Sequence, residues 1–163
     1  AIRPEGFDDV QAVRYLQMNS SVLTQARNEI ESLHEFFCEW FGGNLAESEF
    51  EEQFISRFSS EVLFIPPAGN FLGLDDLVPM LRAGYGSNPE FRIQIREVTI
   101  HRQFDGFILA SYEEWQRNAL SSQPPNNGRI STVLFAAGKQ LKWHYVHETW
   151  LPEEVMKAGS YDF

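Results

Sequence analysis

Residues 91–151 contain four strand-like runs in succession, and this arrangement constrains the fold more than any other feature of the chain. The runs span residues 91–104, 107–117, 130–137 and 141–151. Three turn signals separate them: Asp105-Gly106, a loop that ends in Asn127-Gly128, and Gly138-Lys139-Gln140. Asp-Gly and Asn-Gly favour tight hairpins because both central residues of a type I′ turn need a positive φ. The sequence therefore predicts a four-stranded antiparallel meander.

The first half of the chain has helical patterning. Apolar residues recur every three or four positions at Leu23, Ala26, Ile30, Leu33, Phe37, Trp40 and Phe41, and Gly42 follows them. Ser48 with Glu51 forms a capping-box pattern that indicates a second, shorter helix. A strand candidate over residues 61–65 precedes a third helix that begins near Asp75. The predicted order is helix, helix, strand, helix and then the meander.

The first long strand has an irregularity that predicts its shape. Its apolar residues alternate at positions 93 and 95 but resume at Val98 and Ile100, so the phase slips by one residue. A β-bulge near Arg96 and Glu97 would absorb the extra residue and bend the strand. We therefore expect an α+β domain, in which a curved, mostly antiparallel sheet forms a cone over the long first helix and two shorter helices.

Length and charge limit the class of protein. The 163 residues fit one domain, with an N-terminal arm over 1–22, the domain over 23–151 and a C-terminal tail over 152–163. The formal charge of −10 disfavours binding to nucleic acid or to an anionic membrane, and no run is apolar enough to span a bilayer. The N-terminus lacks the basic and apolar regions of a secretion signal, which favours the cytoplasm.

Both faces of the predicted strands carry apolar or aromatic residues. In the last strand, alternation predicts that Trp143 and Tyr145 lie opposite Val146 and Trp150. One face would line the interior of the cone, and the other would need cover that a lone domain lacks. The sequence therefore predicts a homodimer formed through the outer face of the sheet.

Several short motifs in this order resemble the nuclear transport factor 2-like superfamily. They are Phe58-Ser59-Ser60-Glu61-Val62 before Pro66-Pro67-Ala68-Gly69, Gly73-Leu74-Asp75-Asp76-Leu77, and Leu141-Lys142-Trp143-His144-Tyr145-Val146-His147. The resemblance covers residues 25–151 and is greatest to SnoaL-like proteins and the association domain of calmodulin-dependent protein kinase. It implies a cone-shaped, usually dimeric α+β domain with a pocket between sheet and helices. It does not imply one activity, because this scaffold carries isomerases, dehydratases, cyclases and assembly domains.

Two positions depart from the relatives that this resemblance suggests. Steroid isomerases of this fold have a general-base Asp just before the turn after the first strand, where this chain has Pro66. The kinase association domain has an Arg in its pocket where the alignment puts Glu113. A ligand of this chain would then differ in charge from a ligand of that domain.

The same alignment predicts which side chains of the second meander strand face the cavity. Ser111, Glu113 and Trp115 would point inward, and residues 112, 114 and 116 would point outward. A carboxylate in an apolar cone has its neutral form favoured, so Glu113 could act as a general acid or base. The alternative is a structural ion pair between Glu113 and a neighbouring Arg such as Arg96 or Arg129.

His147 is the other candidate for acid–base chemistry, because histidine titrates near neutral pH. It and His144 are three residues apart on a strand, so they face opposite sides and cannot bind one metal ion together. No metal or other cofactor is expected, and His34 is expected to be solvated. The predicted ligand pocket consists of Phe37, Trp40, Ser111, Trp115, Trp143 and Tyr145.

Three functions are compatible with these features. The first is a homodimeric domain that holds a small, largely apolar molecule in the cone, with Glu113, Tyr145 and His147 as polar contacts. The second is a cofactor-free lyase, isomerase or cyclase in which Glu113 or His147 moves a proton and Tyr145 stabilises the oxyanion. The third is an oligomerisation module without a working pocket. Covalent catalysis and nucleotide hydrolysis are disfavoured, because their sequence motifs are missing.

Overall fold

The structure is a computed structural model that describes residues 9–163, without the side chains of residues 9 and 12–17. Its helices are α1 (Asp9–Gly42), α2 (Glu49–Gln53), α3 (Leu74–Ala83) and α4 (Glu153–Ala158), and a 3₁₀ turn spans Ile55–Arg57. Its strands are β1 (Phe58–Ile65), β2 (Arg92–Phe104), β3 (Phe107–Arg117), β4 (Asn127–Ala136) and β5 (Lys142–Trp150). The predicted order of elements is confirmed.

The five strands form one sheet in the order β1-β5-β4-β3-β2. Strands β2 to β5 pair antiparallel in sequence, as the meander prediction requires, and β1 pairs parallel with β5. The α+β architecture of a long first helix and short helices on a mostly antiparallel sheet is therefore as expected. Helix α1 begins well before residue 23, so the predicted boundary between arm and domain falls within this helix.

Strand β2 contains the predicted bulge. Its pairing with β3 shifts register between Arg96 and Thr99, and Glu97 has a φ of 53°. A bulge in β5 was not predicted. Leu134 pairs with Tyr145 and Phe135 pairs with Trp143, so one residue of β4 is matched by two of β5. The prediction that Trp143 lies opposite Val146 is therefore wrong, because the bulge at residue 144 returns both side chains to the buried face.

Of the Asp-Gly and Asn-Gly turn signals, the first forms a hairpin and the second does not. Phe104 pairs with Phe107 across the Asp105-Gly106 turn, where Gly106 has the positive φ of 78°. Asn127 and Gly128 instead begin β4. A Cβ on Gly128 would lie 2.9 Å from Leu151 Cδ1, so this position requires glycine for close packing rather than for a turn.

The end of α1 and the short helices form an aromatic core. Phe36 stacks on Trp40 and Phe54 with ring centroids 5.6 and 5.7 Å apart, and the indole of Trp40 donates to the carbonyl of Leu81 at 2.7 Å. The capping box predicted at Ser48 is not formed, since Ser48 makes no side-chain cap hydrogen bond. These rings belong to the buried core, beside the partly buried Phe37 and Phe41.

The last five residues cover part of the outer sheet face. Arg96 donates to the carbonyl of Ser160 at 2.7 Å, and the rings of Trp115 and Tyr161 are 5.5 Å apart. Trp115 is buried by this segment, whereas Ile130 in the middle of the same face is 40% exposed. The outer face is therefore only partly covered by the chain itself.

Candidate functional site

A cavity of about 580 Å³ lies between the helices and the concave face of the sheet. Most of its wall is apolar, with aliphatic side chains beside the aromatic residues Phe37, Phe41, Phe54, Phe58, Phe64, Phe91 and Trp143. One part of the wall, which we call the polar end, consists of His34, Tyr112, Glu114, Gln116, Arg129 and Glu148. The arrangement is typical of sites that hold an apolar molecule and orient it through a few polar groups.

Strand register brings most of the polar end together. Tyr112, Glu114 and residue 116 alternate along β3 and therefore share one face. In β4, Arg129 pairs with Glu114 and residue 131 pairs with Tyr112. In β5, Glu148 pairs with the same Ser131. His34 completes the group from α1.

Hydrogen bonds connect the polar end into one chain. His34 Nε2 lies 3.1 Å from Glu114 Oε2, and Gln116 Nε2 donates to Glu114 Oε1 at 2.6 Å. Arg129 donates to Gln116 Oε1 at 2.9 Å and to Glu148 Oε2 at 3.0 Å. Because Arg129 can only donate, it fixes the orientation of the Gln116 amide, which must then donate to Glu114.

The His34 ring also has a fixed proton on Nδ1. This nitrogen lies 2.7 Å from the carbonyl oxygen of Ile30, which can only accept. Nε2 therefore carries a proton only in the imidazolium form. Its contact with Glu114 requires either an imidazolium with a carboxylate or a neutral imidazole with a carboxylic acid. The pair thus shares one proton.

The two buried carboxyls have opposite pKa displacements. Burial raises the pKa of Glu114, but the charges of His34 and Arg129 outweigh this effect and lower its pKa from 4.5 to about 2. Burial, and then the charge of Glu114, raise the pKa of Glu148 from 4.5 to about 7, against the effect of Arg129. Burial lowers the pKa of His34, but Glu114 outweighs it and the pKa lies above 6.5. The upward shift of the His34 pKa and the downward shift of the Glu114 pKa both favour the ion pair of imidazolium and carboxylate, whereas the upward shift for Glu148 favours its neutral acid.

The prediction of which β3 face lines the cavity is wrong. Tyr112, Glu114 and Gln116 line the cavity, whereas Ser111, Glu113 and Trp115 do not. The alignment was displaced by one residue, and a displacement of one residue moves every side chain of a strand to the other face. Glu113 accepts a hydrogen bond from the indole of Trp115 at 2.8 Å. Arg96 is its cross-strand neighbour, but among the described residues Glu113 forms an ion pair with neither Arg96 nor Arg129.

Two of the six predicted pocket residues line the cavity, namely Phe37 and Trp143. Trp40 is fully buried in the adjoining aromatic core. Tyr145 and His147 lie on the outer sheet face with rings 6.4 Å apart. His147 is separated from Glu113 by strand β4, since it pairs with residue 132 of that strand. A catalytic role for Glu113 or His147 stays a prediction, now for residues outside the cavity.

The residue that the sequence reasoning missed most clearly is His34, which is buried rather than solvated. It lies four residues after Ile30 and three before Phe37, so helical spacing alone puts it on the apolar face. Glu148 had a similar signal, because it follows the buried Val146 by two positions in a strand.

Within the described part of the chain, no helix is both long enough and apolar enough to cross a membrane. The same residues contain no group of three or more His, Cys, Asp or Glu side chains arranged to hold a metal ion.

Comparison with known families and with curated proteins gave no match to a family model and no matching curated protein. Solved structures do match. A nuclear transport factor 2-like protein of unknown function from Pseudomonas aeruginosa aligns with a TM-score of 0.69 at 23% identity, over 78% of this chain and 99% of its own. An uncharacterised cystatin-like protein from Caulobacter vibrioides aligns with a TM-score of 0.60 at 15% identity, over 83% of this chain and 93% of its own.

The calcium/calmodulin-dependent kinase II hub of S. rosetta aligns with a TM-score of 0.59 at 9% identity, over 82% of this chain and 96% of its own. These similarities concern the fold, because all three identities are low. The sheet order, the long first helix and the cavity between them agree with the same conclusion. The chain has the cystatin-like fold of nuclear transport factor 2-like proteins, as its motifs predicted.

Proposed function

We propose that this chain binds a small, largely apolar molecule in the cavity, with the polar end of the cavity orienting it. The observation that carries this proposal is the contrast between a wall made mostly of aromatic and aliphatic side chains and the six polar side chains of the polar end. Burying apolar surface supplies most of the affinity of such sites, and a few polar groups supply orientation. The cavity of about 580 Å³ has the size of sites that hold small organic molecules.

Binding can be tested with N-phenyl-1-naphthylamine, an uncharged apolar dye that fluoresces in apolar surroundings. We expect saturable binding, and we expect Ile93→Trp to weaken it at least about tenfold, since Ile93 lines the cavity. Val155→Trp is the matched control, because Val155 is 40% exposed on α4 and does not line the cavity. Equal dye affinity in both variants would contradict the proposal. Native mass spectrometry of the purified protein would report any molecule already bound.

We further propose that the protein is a homodimer formed through the outer sheet face. Support comes from the exposure of Ile130 and from the partly buried Leu134 and Tyr145 on the same face. Solved structures with this fold include a kinase hub. Sedimentation velocity should give a dimer, and Ile130→Glu with Leu134→Glu should give a folded monomer. A larger ring would favour the oligomerisation module instead.

A cytoplasmic location stays a prediction.

A second candidate function is cofactor-free acid–base catalysis by a lyase, isomerase or cyclase. It is favoured by the opposite pKa displacements of Glu114 and Glu148, which are the kind of difference that separates acid from base. A direct probe is the base-catalysed ring opening of 5-nitrobenzisoxazole. A rate of ring opening well above the rate with acetate would support catalysis, provided that Glu148→Gln abolishes the excess. A rate equal to that of acetate would contradict it.

A further inference from the structure

Every charged side chain that lines the cavity already has a partner of opposite charge. Among the described residues, the charged or titratable groups of the lining are His34, Glu114, Arg129 and Glu148, besides the phenol of Tyr112. Their ion pairs are His34 with Glu114 at 3.1 Å and Arg129 with Glu148 at 3.0 Å. A charged ligand would have to displace one of these partners, at the cost of a buried unpaired charge. The lining therefore disfavours both an anionic and a cationic head group.

The two ion pairs are not equally compensated. Glu114 receives hydrogen bonds from His34 and Gln116, and the first of these donors is charged. Glu148 accepts a hydrogen bond from Arg129 at 3.0 Å and a longer one from the hydroxyl of Ser131 at 3.3 Å. Arg129 also donates to Gln116, so its charge is shared between the two halves of the chain. Glu148 is thus the carboxylate with the weaker support.

The charged and titratable groups around Glu148 come from every element packed on it. They are His34 from α1, Tyr112 and Glu114 from β3, and Arg129 from β4. Glu148 also lines the cavity, so a ligand bound there can change the surroundings of its carboxyl group. An apolar molecule that replaces water there removes solvation from the carboxylate, and desolvation favours the neutral acid. The raised pKa of Glu148 agrees with a carboxyl that is already close to this balance.

We propose that the cavity selects uncharged apolar molecules and that their binding is coupled to uptake of a proton by Glu148, so that binding weakens as the pH rises. This inference rests on the proposed function and adds the class of ligand and its regulation. The sign follows from linkage. If the bound state holds more protons than the free state, affinity is highest at low pH and falls as Glu148 ionises in the free protein.

The first test is the affinity for N-phenyl-1-naphthylamine between about pH 6 and pH 9, because the dye is uncharged throughout this range. We expect the affinity to fall about tenfold or more from the low to the high end, the limit being tenfold per pH unit for one proton. In Glu148→Gln the ratio of the dye affinities at pH 6 and pH 9 should approach one, whatever the absolute affinity of the variant. Calorimetry of the unaltered protein in two buffers of different ionisation enthalpy measures the proton uptake directly and needs no variant.

The second test compares three competitors of the same shape: 4-phenylbutan-1-ol, 4-phenylbutylamine and 4-phenylbutanoate. At neutral pH the alcohol should displace the dye at a concentration at least about tenfold lower than either ion, because each ion must be buried beside charges that already have a partner of opposite charge. A tenfold preference for the amine or for the carboxylate would overturn the selectivity.

The outcomes separate this inference from the function on which it rests. Dye binding that Ile93→Trp weakens, but that neither changes with pH nor takes up protons, overturns the coupling and leaves the proposed binding function standing. No binding of the dye or of any competitor at any pH overturns both.

Discussion

His34 Nε2 lies 3.1 Å from Glu114 Oε2, although the two residues are 80 positions apart in the chain. This contact joins the long helix α1 to the middle of strand β3 across the polar end of the cavity. Both side chains are almost fully buried, with 5% and 6% of their surface exposed. The pair therefore holds the helix and the sheet at a fixed separation while leaving charged groups at the wall of the cavity.

We expect His34→Ala to lower the free energy of unfolding by about 3 to 5 kcal/mol, since it leaves the buried carboxylate of Glu114 without its charged partner. Urea unfolding followed by tryptophan fluorescence measures this loss. His101→Ala is the matched control, because His101 is exposed on the outer face and its side chain is hydrogen-bonded to Ser111. A loss of similar size in both variants would contradict the role given to the pair.

Glu113 and Glu114 are neighbours on opposite faces of β3, and they therefore test the assignment of faces. We expect Glu114→Gln to destabilise the protein by roughly 2 kcal/mol or more and to weaken dye binding, because the amide removes the charge that pairs with His34. Glu113→Gln should cost less than about 1 kcal/mol, as its main described contact is one hydrogen bond with Trp115. The same two assays report both variants. The reverse order would restore the original prediction that Glu113 faces the cavity.

Stability should fall as the pH rises from about 5 to 9. The pKa of Glu148 is raised from 4.5 to about 7 in the fold, so its contribution is fully present below about 4.5 and is lost through the neutral range. The raised pKa of His34 acts in the same direction above 6.5. The lowered pKa of Glu114 acts in the opposite direction, and its contribution is lost as the pH falls toward 2.

Urea unfolding at constant ionic strength should therefore give a maximum near pH 5 and a loss of roughly 2 kcal/mol by pH 9. In Glu148→Gln the decline should be smaller, because the amide does not ionise. A flat stability profile in the unaltered protein would contradict the predicted pH dependence. An unchanged decline in Glu148→Gln would show that another group causes the loss of stability.

The fold was predictable from the sequence because several local signals agree. The phase slip at Arg96 and Glu97 predicts a bulge that the structure contains, and Asp105-Gly106 predicts a hairpin that is formed. The resemblance to nuclear transport factor 2-like proteins predicted the overall fold, and the order of strands in the sheet agrees with that prediction. These features depend on residues near one another in the chain, which is the range over which sequence patterns are most informative.

The polar end was less predictable, because it depends on the absolute face of each strand. Alternation fixes which side chains share a face but not which face turns inward, and one residue of displacement reverses the answer. The bulge in β5 has no sequence signal that we recognise, yet it decides that Trp143 and Val146 lie together. His34 could have been found from its spacing to Ile30 and Phe37.

Gly128 should be intolerant of a side chain although its backbone is that of an ordinary strand residue. A Cβ there would lie 2.9 Å from Leu151 Cδ1 and 3.4 Å from the Trp115 ring, so Gly128→Ala must push apart a well-packed contact. We expect a loss of about 1 to 3 kcal/mol, the usual cost of overpacking. Gly138→Ala is the matched control, because the nearest atom to its new Cβ is 3.6 Å away. Urea unfolding of both variants measures the difference, and equal stability would mean that β4 and β5 yield at this point without cost, contrary to the packing described between Gly128 and Leu151.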